Sequence, residues 1–467
     1  MILKGPMKRV LIVTYDFPPT GGGGVLRMQK FCKYLPEFDW QPVVVTLKNS
    51  LAEIRDEQLL DELSDHVVIH YTRTLEPFWL TRIFRKWGGG IGYARSLDQP
   101  NGTTKRRFLF GLLRKALKIP QYALFPDKGI FWFYPAVKRG RQVIENSDID
   151  LIMTSSPPHS IHLIGRYLSR RYRLPWVIDF RDGWTDIPLY SHPNRLLKKA
   201  ELRLESKILG ESDGVLCATA PITASLRKRL PPVQANKFVT ITNGFDWDDL
   251  EPIEYGRSEK LVFTHAGVIG GVRSTKYLFE ALKQVKTRDP EVYKDLTFRF
   301  IGRFTDDMDP WRKELNECFV HIPHRPHKET FPLLQMSDVL FIVIQWNEGA
   351  NTFLTTKFFD YLSCKRPIFA MIPPSPLKDM IEQHGLGKVV CSDDVSEIRG
   401  AILDFHREWK ADCLCVDPSS HLLSRFDRRS LTGNLVRFFD RVSETARGAN
   451  HEGKGQIDPR VAPDEPL

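Results

Sequence analysis

Cysteine is scarce: the 467 residues contain seven, an odd number scattered along the chain. That excludes a disulfide-stapled scaffold, and the one close pair, Cys413 and Cys415, lacks metal-ligand spacing, so a reducing cytoplasmic compartment is expected. Long apolar runs are missing as well. None approaches the roughly 18 residues that a membrane span needs. The basic start leads into Asp16-Phe17-Pro18-Pro19 with no small-residue cleavage site, so Val10 to Val13 reads as a first buried strand and not as a leader. The glycine-rich loop after the first strand lacks G-x-G-x-x-G spacing, and no P-loop lysine follows it. Acid runs short in one place. Between Arg73 and Arg141 there are 15 Lys and Arg against 3 Asp and Glu, so the net charge of +10 is concentrated there. Phe78, Trp79, Phe84, Trp87, Phe108, Phe110, Trp132 and Phe133 lie in the same segment. Cations interleaved with aromatics suit an anionic membrane surface; a solvated basic face has the same composition, and nucleic acid is the least favoured partner.

What is present is an ordinary globular composition, 42% apolar and 27% charged, in a chain long enough for two domains of about 150 to 250 residues each. Short runs of Val, Ile, Leu and Phe alternate with amphipathic stretches from Arg9 to Cys391. This is the pattern of parallel sheets covered by helices, an α/β class. The acidic stretch 246–259 divides it. The expected order is a first Rossmann-like domain at 1–245 with the basic insertion at 73–141, the linker 246–259 and a second Rossmann-like domain at 260–420. A basic amphipathic helix, Leu422 to Val442, lies within the segment 421–447, and a disordered tail occupies 448–467.

Chemistry-bearing residues collect where strands end. After Asp338 to Ile344 comes the polar loop Gln345 to Asn351 and a helix expected from about Thr352, with Thr355, Thr356, Lys357 and Asp360 in or near its first turns. Unpaired N–H groups and the helix dipole favour an anion in such a loop, and Asp360 can accept from a ribose diol. An ordinary βαβ unit with a solvated Lys and Asp has the same spacing. The first strand is followed by DFPPTGGGG, where Gly21, Gly22, Gly23 and Gly24 allow close backbone approach at a helix start beside Arg27. In the second half, Gly267, Gly270 and Gly271 sit between another strand and helix with Arg273 and Lys276 adjacent, two cations for the two charges of a diphosphate.

On the other side, Ser155-Ser156-Pro157-Pro158-His159 and Phe180-Arg181-Asp182-Gly183-Trp184 leave the ends of two strands. His159 at a helix start favours a neutral imidazole, and His162 is expected to cap or pack. Asp179 and Asp182 around Arg181 would orient one another, clamp an acceptor hydroxyl or form an internal salt bridge. His321, His324 and His327 recur every three residues, but Pro323 and Pro326 break any helix that would make them converge on a metal.

The phrase Lys357 to Ser363 with Arg366-Pro367-Ile368 resembles the donor-site segment of retaining nucleotide-sugar glycosyltransferases of family four, which have the GT-B fold. Phe17-Pro18-Pro19 with the glycines, PDKGIFWFYPA, Ser-Pro-Pro-His, Asp179 to Trp184 and Asn243-Gly244-Phe245-Asp246 resemble further motifs of that family in the same order. The resemblance implies two Rossmann-like domains facing across a cleft, with a terminal helix crossing back to the first. It implies transfer of a sugar from a UDP- or GDP-sugar, with retention and without a metal, to a glycan or lipid-linked glycan. His159 and Asp182 would serve the acceptor side. Arg273 and Lys276 would hold the donor diphosphate with Lys357, the glycine loops at Gly22, Gly23, Gly267 and Gly270, and Thr355; Asp360 would hold the ribose. Two departures stand out: the second family acid is Asp360, and the first acidic position is Thr352, with Glu348 the nearest spare carboxylate. A 2-epimerase-type isomerase and a non-catalytic subunit of a glycan-assembly complex are the alternatives.

Overall fold

The computed structural model describes residues 7–48, 55–75, 125–187, 194–253, 256–271, 273–305, 308–346 and 354–452. Most of the basic insertion, Glu348, the loop Gly349 to Asn351, Thr352 and the tail beyond 452 therefore lie outside the described residues.

Seven strands form the first sheet: β1 (Lys8–Thr14), β2 (Trp40–Leu47), β3 (Val68–Thr72), β4 (Leu151–Ser156), β5 (Trp176–Phe180), β6 (Gly214–Cys217) and β7 (Phe238–Thr240). Their order is β3-β2-β1-β4-β5-β6-β7, and every pair is parallel. The second sheet has β8 (Leu261–Ala266), β9 (Leu296–Ile301), β10 (Phe319–Ile322), β11 (Val339–Val343), β12 (Ile368–Met371) and β13 (Gly387–Val390), ordered β10-β9-β8-β11-β12-β13 and again all parallel. Both orders reverse direction at one point, between β1 and β4 and between β8 and β11. Loops at the carboxyl ends of those strands splay apart there and leave a crevice.

The helices that position the site are α1 (Gly23–Tyr34), α2 (Phe133–Asn146), α3 (Ile161–Tyr172), α4 (Arg195–Glu211), α5 (Lys276–Arg288), α6 (His327–Gln335), α7 (Thr356–Ser363), α8 (Val395–Lys410), α9 (Ser420–Phe426) and α10 (Arg428–Glu452). Central strands are buried on both faces, which is why they read as continuous apolar runs. Leu11 and Val13 pack with Val45, Ile152 and Trp176 on one side, while Val10 and Ile12 pack with Met28, Phe31 and Met153 on the other. The second core is built on Phe263, Phe298 and Phe341 between α5 and α8. No helix among the described residues is long and apolar enough to cross a membrane.

Two expectations are revised, and one strand had not been expected. The strand β10 carries no strong apolar alternation and escapes a sequence reading. The single helix expected from Leu422 to Val442 is two, broken at Asp427. There the Phe245 N–H donates to the Phe426 carbonyl at 3.0 Å, and the Arg428 N–H donates to the Phe245 carbonyl at 2.9 Å. These groups are drawn from helical pairing into a tie between the two chain crossings. Gly244 is required at this tie, because a Cβ there would fall 2.2 Å from the Phe426 carbonyl oxygen. Beyond the break, α10 returns to the first sheet, where Phe439 meets Trp40 edge-on and Asp440 pairs with Lys8 at 2.6 Å. It runs to Glu452, so the start of the expected disordered tail is helical.

Candidate active site

The glycine loop after β1 and the loop before α7 meet across the crevice. Gly22 caps α1 with φ of 113°, a conformation that favours glycine, and no side chain occupies the exposed first N–H groups of this helix. The start of α7 falls at Thr356, later than expected, because Thr355 is extended and caps it without a side-chain hydrogen bond. A Cβ on Gly23 would lie 2.7 Å from Thr356 Oγ1. Two helix amino termini, one from each sheet, thus converge. Each carries about half a positive charge, so they repel unless an anion lies between or beside them.

Lys357, in the first turn of α7, lies against the Gly267 backbone; a Cβ on Gly267 would be 2.8 Å from Lys357 Nζ. Burial and the neighbouring Arg273 pull the Lys357 pKa down to about 7, against the opposing pull of Asp360. Gly267 has φ of 122°, and Gly270 and Gly271 close a tight turn in which the backbone of Gly270 and Arg273 exchange hydrogen bonds of 3.2 and 3.1 Å. That turn presents Arg273 to the same space as Lys357. Lys276 is placed differently: it opens α5, is mostly exposed, and leans on Glu280 at 3.8 Å and on the Tyr277 ring. The structure therefore brings Gly22, Gly23, Gly267, Gly270, Arg273, Thr355, Lys357 and Asp360 to one crevice, with Lys276 at its outer side.

Asp360 is not a free carboxylate. His327, the first residue of α6, has Nε2 3.5 Å from Asp360 Oδ2 and Nδ1 3.7 Å from Asp249 Oδ2. The three histidines do not share a point: His321 Nε2 faces the Gly302 carbonyl at 2.8 Å, and His324 is exposed. The acidic trio Glu62, Asp246 and Asp249 is close enough to hold an ion. Its centre is filled by the Lys30 ammonium, at 2.7, 2.8 and 2.6 Å from the three carboxylates.

On the first-sheet side, His159 is buried and its ring stacks on Trp184, with centroids 4.9 Å apart and planes 6° from parallel. Burial, with the cationic Arg181 and His162 nearby, holds its pKa well below the ordinary histidine range, so the ring is neutral. His162 packs, as expected: Nδ1 faces Thr154 Oγ1 at 2.9 Å, and burial lowers its pKa to about 3. The turn that presents His159 is held by Asp127, which accepts from the backbone N–H groups of His159 and Ser160 at 2.7 and 3.0 Å and from Gly129 at 2.8 Å. Only its place in the PDKGIFWFYPA phrase pointed to it.

Asp182 lies on the next loop, half-buried beside Trp184. The sequence allowed Arg181 to pair with the acids around it, but its guanidinium donates to three backbone carbonyls, those of Ser156 and Pro157 at 2.9 and 2.8 Å and that of Gly24. It pins the glycine loop to the β4 loop. Arg27 is likewise not a ligand contact: it is wholly buried, pairs with Asp179 at 2.9 Å and donates to the Thr242 carbonyl at 2.9 Å. Asp179 also accepts from Ser155 Oγ at 2.7 Å.

Two switch-point crevices facing each other, with a helix crossing back from the second unit to the first, define the GT-B fold. Solved structures agree. HepE from Anabaena, in complex with UDP and glucose, aligns over 93% of this chain and 100% of its own at 14% identity with a TM-score of 0.58. Sucrose-phosphate synthase from Thermosynechococcus elongatus aligns over 96% and 100% at 12% identity and 0.60. TarM aligns over 93% and 99% at 10% identity and 0.59. No curated protein matches the chain. Residues 21–249 match the family model described as Glycosyltransferase Family 4. The first half of the chain thus matches that family, and the chain is a glycosyltransferase.

Proposed function

We propose that this enzyme takes its sugar from a nucleotide-diphosphate donor and transfers it, with retention, to a hydroxyl of a glycan or lipid-linked glycan in surface polysaccharide or related biosynthesis. The observation that carries the reading is the convergence of the α1 and α7 amino termini beside Arg273 and Lys357. HepE, similar in fold, has been solved with UDP and with UDP-glucose, which supports UDP as the first nucleotide to test and GDP as the second.

In this reading the bond from the anomeric carbon to the diphosphate breaks as the acceptor oxygen bonds to the same face of that carbon. Charge growing on the departing diphosphate is stabilised by Lys357, Arg273 and the N–H groups of Thr356, Lys357 and the glycine loop, a preorganised electrostatic contribution. We assign that work to these cations rather than to a metal. The leaving phosphate oxygen takes the acceptor proton, so no strong base is needed. Asp360 holds the ribose, and neutral His159 with Asp182 lines the acceptor side. Leu75, largely exposed, immediately precedes the stretch 76–124 that holds most of the basic segment; we assign that segment to an anionic membrane surface on the cytoplasmic side.

Incubation with labelled UDP- and GDP-sugars and acceptor-containing membrane extract tests the reading. Label transferred in the donor's anomeric configuration, and lost in Lys357→Met, supports it. Transfer that survives Lys357→Met at the parental rate contradicts the site, and transfer with the opposite configuration contradicts retention.

A further inference from the structure

His327 stands where three parts of the chain meet. Its backbone N–H donates to Asp56 Oδ2 at 3.0 Å, beside the first sheet. Its ring nitrogens face Asp249, on the passage between the sheets, at 3.7 Å and Asp360, on α7, at 3.5 Å, ion-pair separations at which neither nitrogen is hydrogen-bonded. A neutral imidazole carries one N–H and can serve one of two carboxylates; only the imidazolium donates from both nitrogens. The ring lies edge-on against Phe331 of its own helix, with centroids 5.1 Å apart. Asp249 is itself fixed by Lys30 at 2.6 Å. The remaining charges around this point are Glu62 and Asp246 beside Lys30, Lys357 beside Asp360, and Arg428 of α10. The buried Arg428 guanidinium faces Asp360, Asp246 and Asp249 with Nε and Nη1 unpaired. Glu329, two residues further along α6, is engaged elsewhere, with Gln58 and Arg325.

We propose that His327 is a positioning residue for donor capture: as an imidazolium it ties Asp360 to Asp249, fixing the ribose-binding carboxylate to the passage between the two sheets. The role of Asp360 in this statement rests on the donor site described under Proposed function. Burial alone would pull the His327 pKa down, and the two carboxylates outweigh it, so the net direction is upward. The tie is thus complete below the ordinary histidine value of about 6.5 and is lost as pH rises through the higher folded value. This couples donor affinity to pH through a residue that touches no substrate.

The test has two independent readings. In histidine-labelled full-length protein, the His327 resonance, identified by its loss in His327→Gln, is titrated by NMR in the parent, Asp360→Asn and Asp249→Asn. The expected parental midpoint lies above about 6.5, and each Asn variant lowers it by about one unit. A midpoint indifferent to both variants overturns the tie. Binding of UDP-glucose and a GDP-sugar is then measured in the parent and His327→Gln at pH 6 and pH 9. A several-fold loss in His327→Gln at pH 6 that disappears at pH 9 supports the positioning role; equal affinity at pH 6 overturns it, because Lys357 is common to both proteins. If the parent binds neither probe, the donor reading and the positioning role both fail. The NMR titration then still decides whether the carboxylate tie exists.

Discussion

Lys357 makes donor affinity a function of pH with a predictable sign. Its pKa in the free protein is about 7, lowered by burial and by Arg273. A nucleotide sugar carries a diphosphate with no proton to gain near neutrality, and it binds the ammonium form. Binding therefore takes up a proton above pH 7, and affinity falls as pH rises. With a free value near 7, the dissociation constant should grow about tenfold between pH 6 and pH 8, or about 1.4 kcal/mol. In Lys357→Met the charged hydrogen bond to the diphosphate is missing at every pH. A charge-assisted bond contributes about 1.5 to 3 kcal/mol, so affinity at pH 6 should drop about 10- to 150-fold. The variant should also lose the Lys357 part of the slope, leaving the smaller part due to His327. Titration calorimetry at four pH values on both proteins gives the two profiles. If they run parallel, Lys357 does not change charge at the donor, and the assignment of this lysine to the diphosphate is wrong.

Three other outcomes follow from the same geometry. Arg27→Met leaves the Asp179 carboxylate buried without its partner and should cost about 3 to 5 kcal/mol in urea unfolding; a loss under about 1 kcal/mol would mean the pair is solvated. Gly23→Val places side-chain atoms where Thr356 Oγ1 now lies, so donor affinity should fall about tenfold or more while melting temperature changes little, because the glycine loop lies at the crevice surface. A fall in melting temperature with unchanged affinity would place the clash in the fold rather than the site. Asp127→Ala removes the acceptor for three backbone N–H groups at the His159 turn and should destabilise by about 1 to 3 kcal/mol per group left buried and unpaired, with turnover falling further than donor affinity.

Much of the architecture was legible because parallel strands buried on both faces leave an unmistakable apolar signature. Val10 to Val13 lies inside β1, and β11 lies inside the run Asp338 to Ile344. The glycine loops were legible for a related reason: four glycines at a helix start, or Gly267 against a lysine side chain, satisfy a backbone requirement that is local. What was not legible is pairing across distance. Arg27 beside a glycine loop looks like a ligand contact until the fold brings Asp179 to it. Lys30 carries no signal at all, yet it neutralises three acids drawn from two separate stretches of chain. The break at Asp427 is invisible for the same reason, since only the approach of Phe245 draws the Phe426 and Arg428 backbone groups out of a helix. His327 shows both sides. Its spacing with two other histidines suggested a metal to be weighed, while its partners are two carboxylates, one on the passage between the sheets and one on α7.

The most direct test of the account is calorimetric binding of UDP-, GDP-, CMP- and dTDP-sugars to the parent, Lys357→Met and Asp360→Asn. The account predicts that one nucleotide class binds the parent and that both variants lose most of that affinity. Binding that is equally strong in all three proteins, or no binding of any class to the parent, would contradict a donor site between the two helix amino termini.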